Sequence, residues 1–159
     1  MNHKRLGPFI TLICLLAGDA LAQSASHQVT VQVSSLSYIQ INNSTLHLII
    51  GTANATPGNN TMTVSDNTTT LWWATNASPR KITIVTDLVS PKYTLWVVAS
   101  NQTAGNPSAQ QIVPTTGKDF IRDISRTMGS CSVVYTLEAL ATAVPGDEFH
   151  HIVFTVSTQ

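Results

Sequence analysis

Short runs in which apolar and polar residues alternate, each bounded by Asn, Gly, Ser or Pro, recur along the chain. A period of two puts alternate side chains on one face, the pattern of a half-buried β-strand. Residues 28–33 set Val29, Val31 and Val33 on one side and Gln28, Thr30 and Gln32 on the other. Residues 36–41 and 45–50 follow, with Asn42-Asn43-Ser44 as a hairpin-like loop between them. Residues 61–64 and 70–74 predict two further strands, with Ser65-Asp66-Asn67 turning between them. Residues 81–86 and 94–99 flank a turn containing Ser90-Pro91, and 111–113 reads as an edge strand stopped by Pro114. The longest candidate is 132–141, where Cys131, Val133, Tyr135, Leu137 and Ala139 share a face. Residues 150–157 close the chain with Ile152, Phe154 and Val156 inward. One stretch departs from this period. In 119–128 the apolar residues Phe120, Ile121 and Ile124 are spaced helically, which predicts a short helix or an irregular crossover.

Roughly eight to ten short antiparallel strands in this length predict an all-β fold, an antiparallel Greek-key β-sandwich of immunoglobulin-like type, with a barrel as the alternative. Composition agrees: Thr, Ser and Asn supply 47 of 159 residues. All three are mediocre in helix interiors, and Thr favours extended backbone. Lys+Arg 8 balances Asp+Glu 8. A neutral chain lacks the basic surface that phosphate neutralisation requires, so nucleic acid is not an expected partner.

Residues 1–22 read as a cleaved signal peptide: Lys4 and Arg5, an apolar run over 9–17, and Ala20-Leu21-Ala22 before Gln23. The run is too short to span a bilayer, so no membrane insertion is expected after cleavage. Ile13 before Cys14 argues against a lipid-modified cysteine. The expectation is an exported protein of the periplasm, cell surface or extracellular space, with one β-sandwich domain over 23–159. Only Cys131 survives cleavage, which precludes an intramolecular disulfide and leaves packing to hold the fold.

The sequence arranges nothing recognisable for catalysis. Gly129-Ser130-Cys131-Ser132 lacks the second glycine of a nucleophile elbow. Cys131 sits in an alternating apolar face and reads as a small buried hydrophobe. His27, His47, His150 and His151 read as surface imidazoles, and the last two point to opposite faces of one strand. Asp147-Glu148 reads as a turn and Asp119 with Asp123 as a solvated segment, so neither implies a catalytic cleft, and no calcium-loop spacing or glycine-rich phosphate loop is present. No catalytic residue, cofactor or metal is therefore expected, and the chain reads as a non-enzyme.

Two features point to binding instead. Trp72 and Trp73 are adjacent, so in a strand one enters the core and the other meets solvent or a partner; Trp96 opposes Leu95 and Val97 in the same way. Exposed rings with polar loops fit a carbohydrate- or surface-binding module. The terminal segments, through Val29, Val31 and Val33 or through Ile152, Phe154 and Val156, fit strand pairing with further copies or other surface proteins. Seven Asn-x-Ser/Thr triplets, from Asn42 to Asn101, fall in candidate loops and are potential glycan acceptors.

The run Leu71-Trp72-Trp73-Ala74-Thr75-Asn76-Ala77-Ser78-Pro79-Arg80-Lys81-Ile82-Thr83 resembles a segment of small secreted bacterial immunoglobulin-like β-sandwich proteins. Ile152-Val153-Phe154-Thr155-Val156 is similar to the last strand of fimbrial-type and spore-coat-U-like subunits. The resemblance implies a structural subunit that associates through its terminal strands, and it brings no catalytic residues. Chaperone–usher pilins usually carry a cysteine pair, whereas here Cys131 stands alone.

Overall fold

Nine strands appear in the computed structural model, which describes residues 24–159. The expected leader, 1–22, lies outside them. The chain divides into two units between Gln32 and Val33, and all the strands belong to the second, Val33–Gln159. They are β1 (Ser37–Ile41), β2 (Thr61–Thr75), β3 (Arg80–Thr86), β4 (Thr94–Ser100), β5 (Asn106–Pro107), β6 (Gln111–Ile112), β7 (Lys118–Ile124), β8 (Thr127–Leu140) and β9 (Ile152–Thr158). Among the described residues, no helix is long and apolar enough to cross a membrane.

The strands form two antiparallel sheets, one ordered β1-β2-β8-β4-β6 and the other β5-β7-β3-β9. A single hydrophobic cluster draws Leu71, Trp73, Val97, Cys131 and Val133 from the first and Ile82, Ile84, Phe120, Ile121 and Ile124 from the second. Alternation explains membership. In β3 the burial pattern buries Ile82, Ile84 and Thr86 and leaves the residues between them half-buried. In β8, Cys131, Val133 and Tyr135 are buried in the same rhythm. The rings of Phe120 and Phe154 pack with centroids 5.3 Å apart, tying β9 to β7 across the inner face of β3.

Four expectations need correction. Residues 61–75 form one continuous strand, because Ser65-Asp66-Asn67 makes a bulge instead of a turn: Asp66 pairs with Tyr135 and Thr69 with Val133, leaving one extra residue in β2. Asp66 Oδ1 steadies it, accepting from the Thr68 amide at 2.9 Å and the Thr68 hydroxyl at 2.7 Å. The segment with helical spacing is strand β7, and it bulges twice. Ile82 pairs with Ile121 but Thr83 with Asp119, and Arg80 pairs with Ile124. The first irregularity turns Phe120 and Ile121 inward together. The second, where Asp123 adopts φ 56, brings Ile124 inward again.

Residues 45–50 belong to no strand, although Leu46 and Leu48 pack on the core with His47 exposed between them. β1 ends instead at Ile41, and the side chain of the next residue, Asn42, accepts from the Thr70 amide at 2.7 Å and donates to the Thr68 carbonyl at 3.0 Å. Residues 28–33 also lie outside any strand, with Val29, Val31 and Val33 exposed at 68%, 82% and 82%.

Trp73 (2% exposed) packs against its cross-strand partner Gly129, where a Cβ would lie 2.6 Å from two ring carbons. Gly129→Ala should therefore displace the indole and lower the unfolding free energy by about 1–3 kcal/mol in urea titrations. Gly117→Ala, where a Cβ meets nothing within 4 Å, should stay within about 0.5 kcal/mol of the parent.

Candidate functional site

The two sheets do not close on each other along one side. β1 is an edge strand of the first sheet and β9 an edge strand of the second, and they approach without pairing. Between them runs an open groove of about 250 Å³, lined chiefly by Ile39, Ile41, Leu71, Ile152 and Phe154. These side chains face the groove because the inward positions of two edge strands find no third strand to cover them. Ile152, Phe154 and Val156 are half-buried against the core, as the alternation of 150–157 predicts. Alternation over 150–157 points to this β9 wall; the alternation of Ile39 and Ile41 carries the same signal for the β1 wall, which is not among the expected contact residues.

Polar contacts hold β9 at both ends. Before it, the His151 amide donates to Asp87 Oδ1 at 3.2 Å, and the Glu148 carboxylate accepts from the Lys92 amide. His150 Nε2 lies 2.9 Å from Glu148 Oε1 and Nδ1 lies 3.4 Å from the Thr86 hydroxyl. His150 is thus a largely buried tether, not the surface imidazole expected. The Tyr93 hydroxyl bonds to the Val144 and Gly146 carbonyls, pinning the connection from β8. After β9, the Gln159 amide group donates to Asp123 Oδ1 at 2.8 Å and Asn106 donates to Oδ2 at 2.8 Å. Those two hydrogen bonds, Asn106 first, hold the Asp123 carboxyl below the usual carboxylate range. The groove wall is thus a fixed edge.

The segment 28–33 begins beyond a second anchor. Asn76 donates to the Ser34 carbonyl at 2.8 Å and accepts from the Leu36 amide at 2.7 Å. Residues 34–36 are therefore fastened where β1 begins. Of the tryptophans, Trp72 projects outward at 41% exposure while Trp73 is in the core, the division that their adjacency predicts. Trp96 is half-buried on the outward face, its Nε1 donating to Glu138 at 3.2 Å.

A larger hollow of about 530 Å³ lies along Ser108–Gln111, Gly117, Lys118, Asp119 and Arg122. It is open, and Asp119 there is engaged by Lys81 at 2.9 Å. Among the described residues, no group of three or more His, Cys, Asp or Glu comes together to hold a metal ion. Comparison with family models, curated proteins and solved structures finds no match to this chain.

Cys131 is buried, and burial pushes its thiol from 9.0 up to about 12. Tyr135 is raised by burial and then by Cys131. The thiol should resist alkylation in the folded protein at mildly alkaline pH and react once guanidinium unfolds the chain. The unfolded chain loses the cysteine proton near 9.0 while the folded chain holds it to about 12. This contribution to stability is therefore complete below pH 9 and lost progressively as the pH rises above it, which thermal melts across that range will read.

Proposed function

We propose that the protein is a non-enzymatic assembly subunit of the periplasm or cell surface, joined to its neighbours by strand addition. The segment 28–33 of one copy is the donor, and the β1–β9 groove of the next is the acceptor. The observation that carries the reading is the coincidence of an exposed alternating segment with an apolar groove bounded by an unpaired edge. Six residues of extended chain span about 20 Å and the seven of β9 about 23 Å, so the lengths match. Val29, Val31 and Val33 would enter the groove beside Ile152 and Phe154, while the backbone of 28–33 completes the free edge of β9. Each valine so buried contributes about 1.5–3 kcal/mol.

The same proposal includes export, which the basic, apolar and Ala-x-Ala features of 1–22 support. It also includes an immunoglobulin-like Greek-key arrangement, supported by the way every connection from β2 to β9 crosses between the sheets. The donor and acceptor roles divide between the two terminal segments because β9 pairs with β3 along its length, from Ile152 to Thr158, and is fastened at both ends.

Light scattering of the protein beginning at Gln23 should show concentration-dependent oligomers. Removing 23–33, or replacing Val29, Val31 and Val33 together by Ser, should leave monomers. A monomer at all concentrations in both the parent and the shortened protein would refute the assignment.

A further inference from the structure

The outward face of the five-stranded sheet carries a different surface. Pairing aligns Tyr38, Ala74 and Met128 in one row across β1, β2 and β8, and Gln40, Trp72 and Ser130 in the next. Their neighbours in sequence, Ile39, Leu71, Trp73 and Cys131, belong to the core or pack on it, so these six side chains point away from it. Tyr38, Trp72 and Met128 are exposed, and Ala74 leaves a low point among them. The Tyr38 hydroxyl donates to Gln40 Oε1, which orients that amide and leaves its NH₂ group to donate outward. No side chain in either row is charged. Trp96, on the same outward face of β4, differs in being half-buried with its N–H committed to Glu138.

We propose that this patch binds a neutral polysaccharide, with a pyranose ring stacked on Trp72 and its hydroxyls bonded to Gln40 and Ser130. The apolar face of a sugar ring matches an exposed indole, and its equatorial hydroxyls match an amide and a hydroxyl. An anionic ligand would call for a basic side chain, and the two rows have none. A protein partner would call for a broader surface, about 800 Å² on each side, with a continuous apolar centre. Here three exposed apolar side chains surround the small Ala74, and polar Gln40 and Ser130 flank Trp72 on either side. Trp72 and Tyr38 are diagonal neighbours, about 7–8 Å apart, within the span of two linked sugar rings. The flat face suits a chain lying along it better than a single sugar held in a pocket.

Affinity electrophoresis of the exported protein through gels containing soluble xylan, galactomannan or mixed-linkage β-glucan tests the site, with alginate as the charged control. Retardation is expected in at least one neutral gel and not in alginate. Trp72→Ala should weaken it by about tenfold or more, the loss of one stacking platform. Trp72→Phe should retain most of it, and Trp96→Ala should leave it unchanged. Gln40→Ala should also weaken it, which keeps the test open should Trp72→Ala fail to fold. Passage through all the neutral gels without retardation, retardation by alginate alone, or full retardation in both Trp72→Ala and Gln40→Ala would overturn the proposal.

Discussion

The long pairing of β2 with β8 organises the molecule. Fifteen residues of one strand run against fourteen of the other with one bulge. β1 extends this ladder on one side and β4 on the other. Its inward side chains, from Leu71 and Trp73 to Cys131 and Val133, form the floor onto which Ile82, Ile84, Phe120 and Ile121 close. With Cys131 free and buried, no disulfide holds this core, and close packing takes that role. The fit of the Trp73 indole over Gly129 shows how little room that packing leaves.

A sheet assembled outward from a central ladder ends in edges, and the character of the edges sets what the surface can do. On one side β4 is covered by the two residues of β6, a short edge that offers little to a partner. On the other side, β1 and β9 come together without pairing and leave the groove open between them. Asp87, Glu148 and His150 fasten the start of β9, and Asp123 with Gln159 fastens its end. The groove wall formed by β9 is therefore a fixed edge, the property that the proposed acceptor role requires. The outward face of the first sheet, with Tyr38, Trp72 and Met128 exposed, is separate from that groove.

Much of this was legible in the sequence because alternation reports burial directly. The strands at 36–41, 81–86, 94–99 and 150–157 appear within a residue or two of their expected bounds. The division of Trp72 from Trp73 followed from their adjacency alone. Alternation does not report pairing, however. Leu46 and Leu48 alternate and pack on the core, yet their backbone joins no ladder, since the Asn42 side chain ends β1 first. Bulges disguise the period: two in seven residues of β7 gave Phe120, Ile121 and Ile124 the spacing of a helical face. A turn-like triplet inside β2 was absorbed as a third. The groove was half-visible at best, because its walls come from residues more than a hundred positions apart, Ile39 and Ile152 among them.

Amide hydrogen exchange followed as a function of protein concentration reads the backbone of the proposed donor and the proposed acceptor together. In dilute solution the amides of 28–33 should exchange freely, while those of β2 and β8 stay protected. As concentration rises, 28–33 and the outer edge of β9 should gain protection together. Free exchange of 28–33 at every concentration, or gain in that segment without any change in β9, would contradict the account.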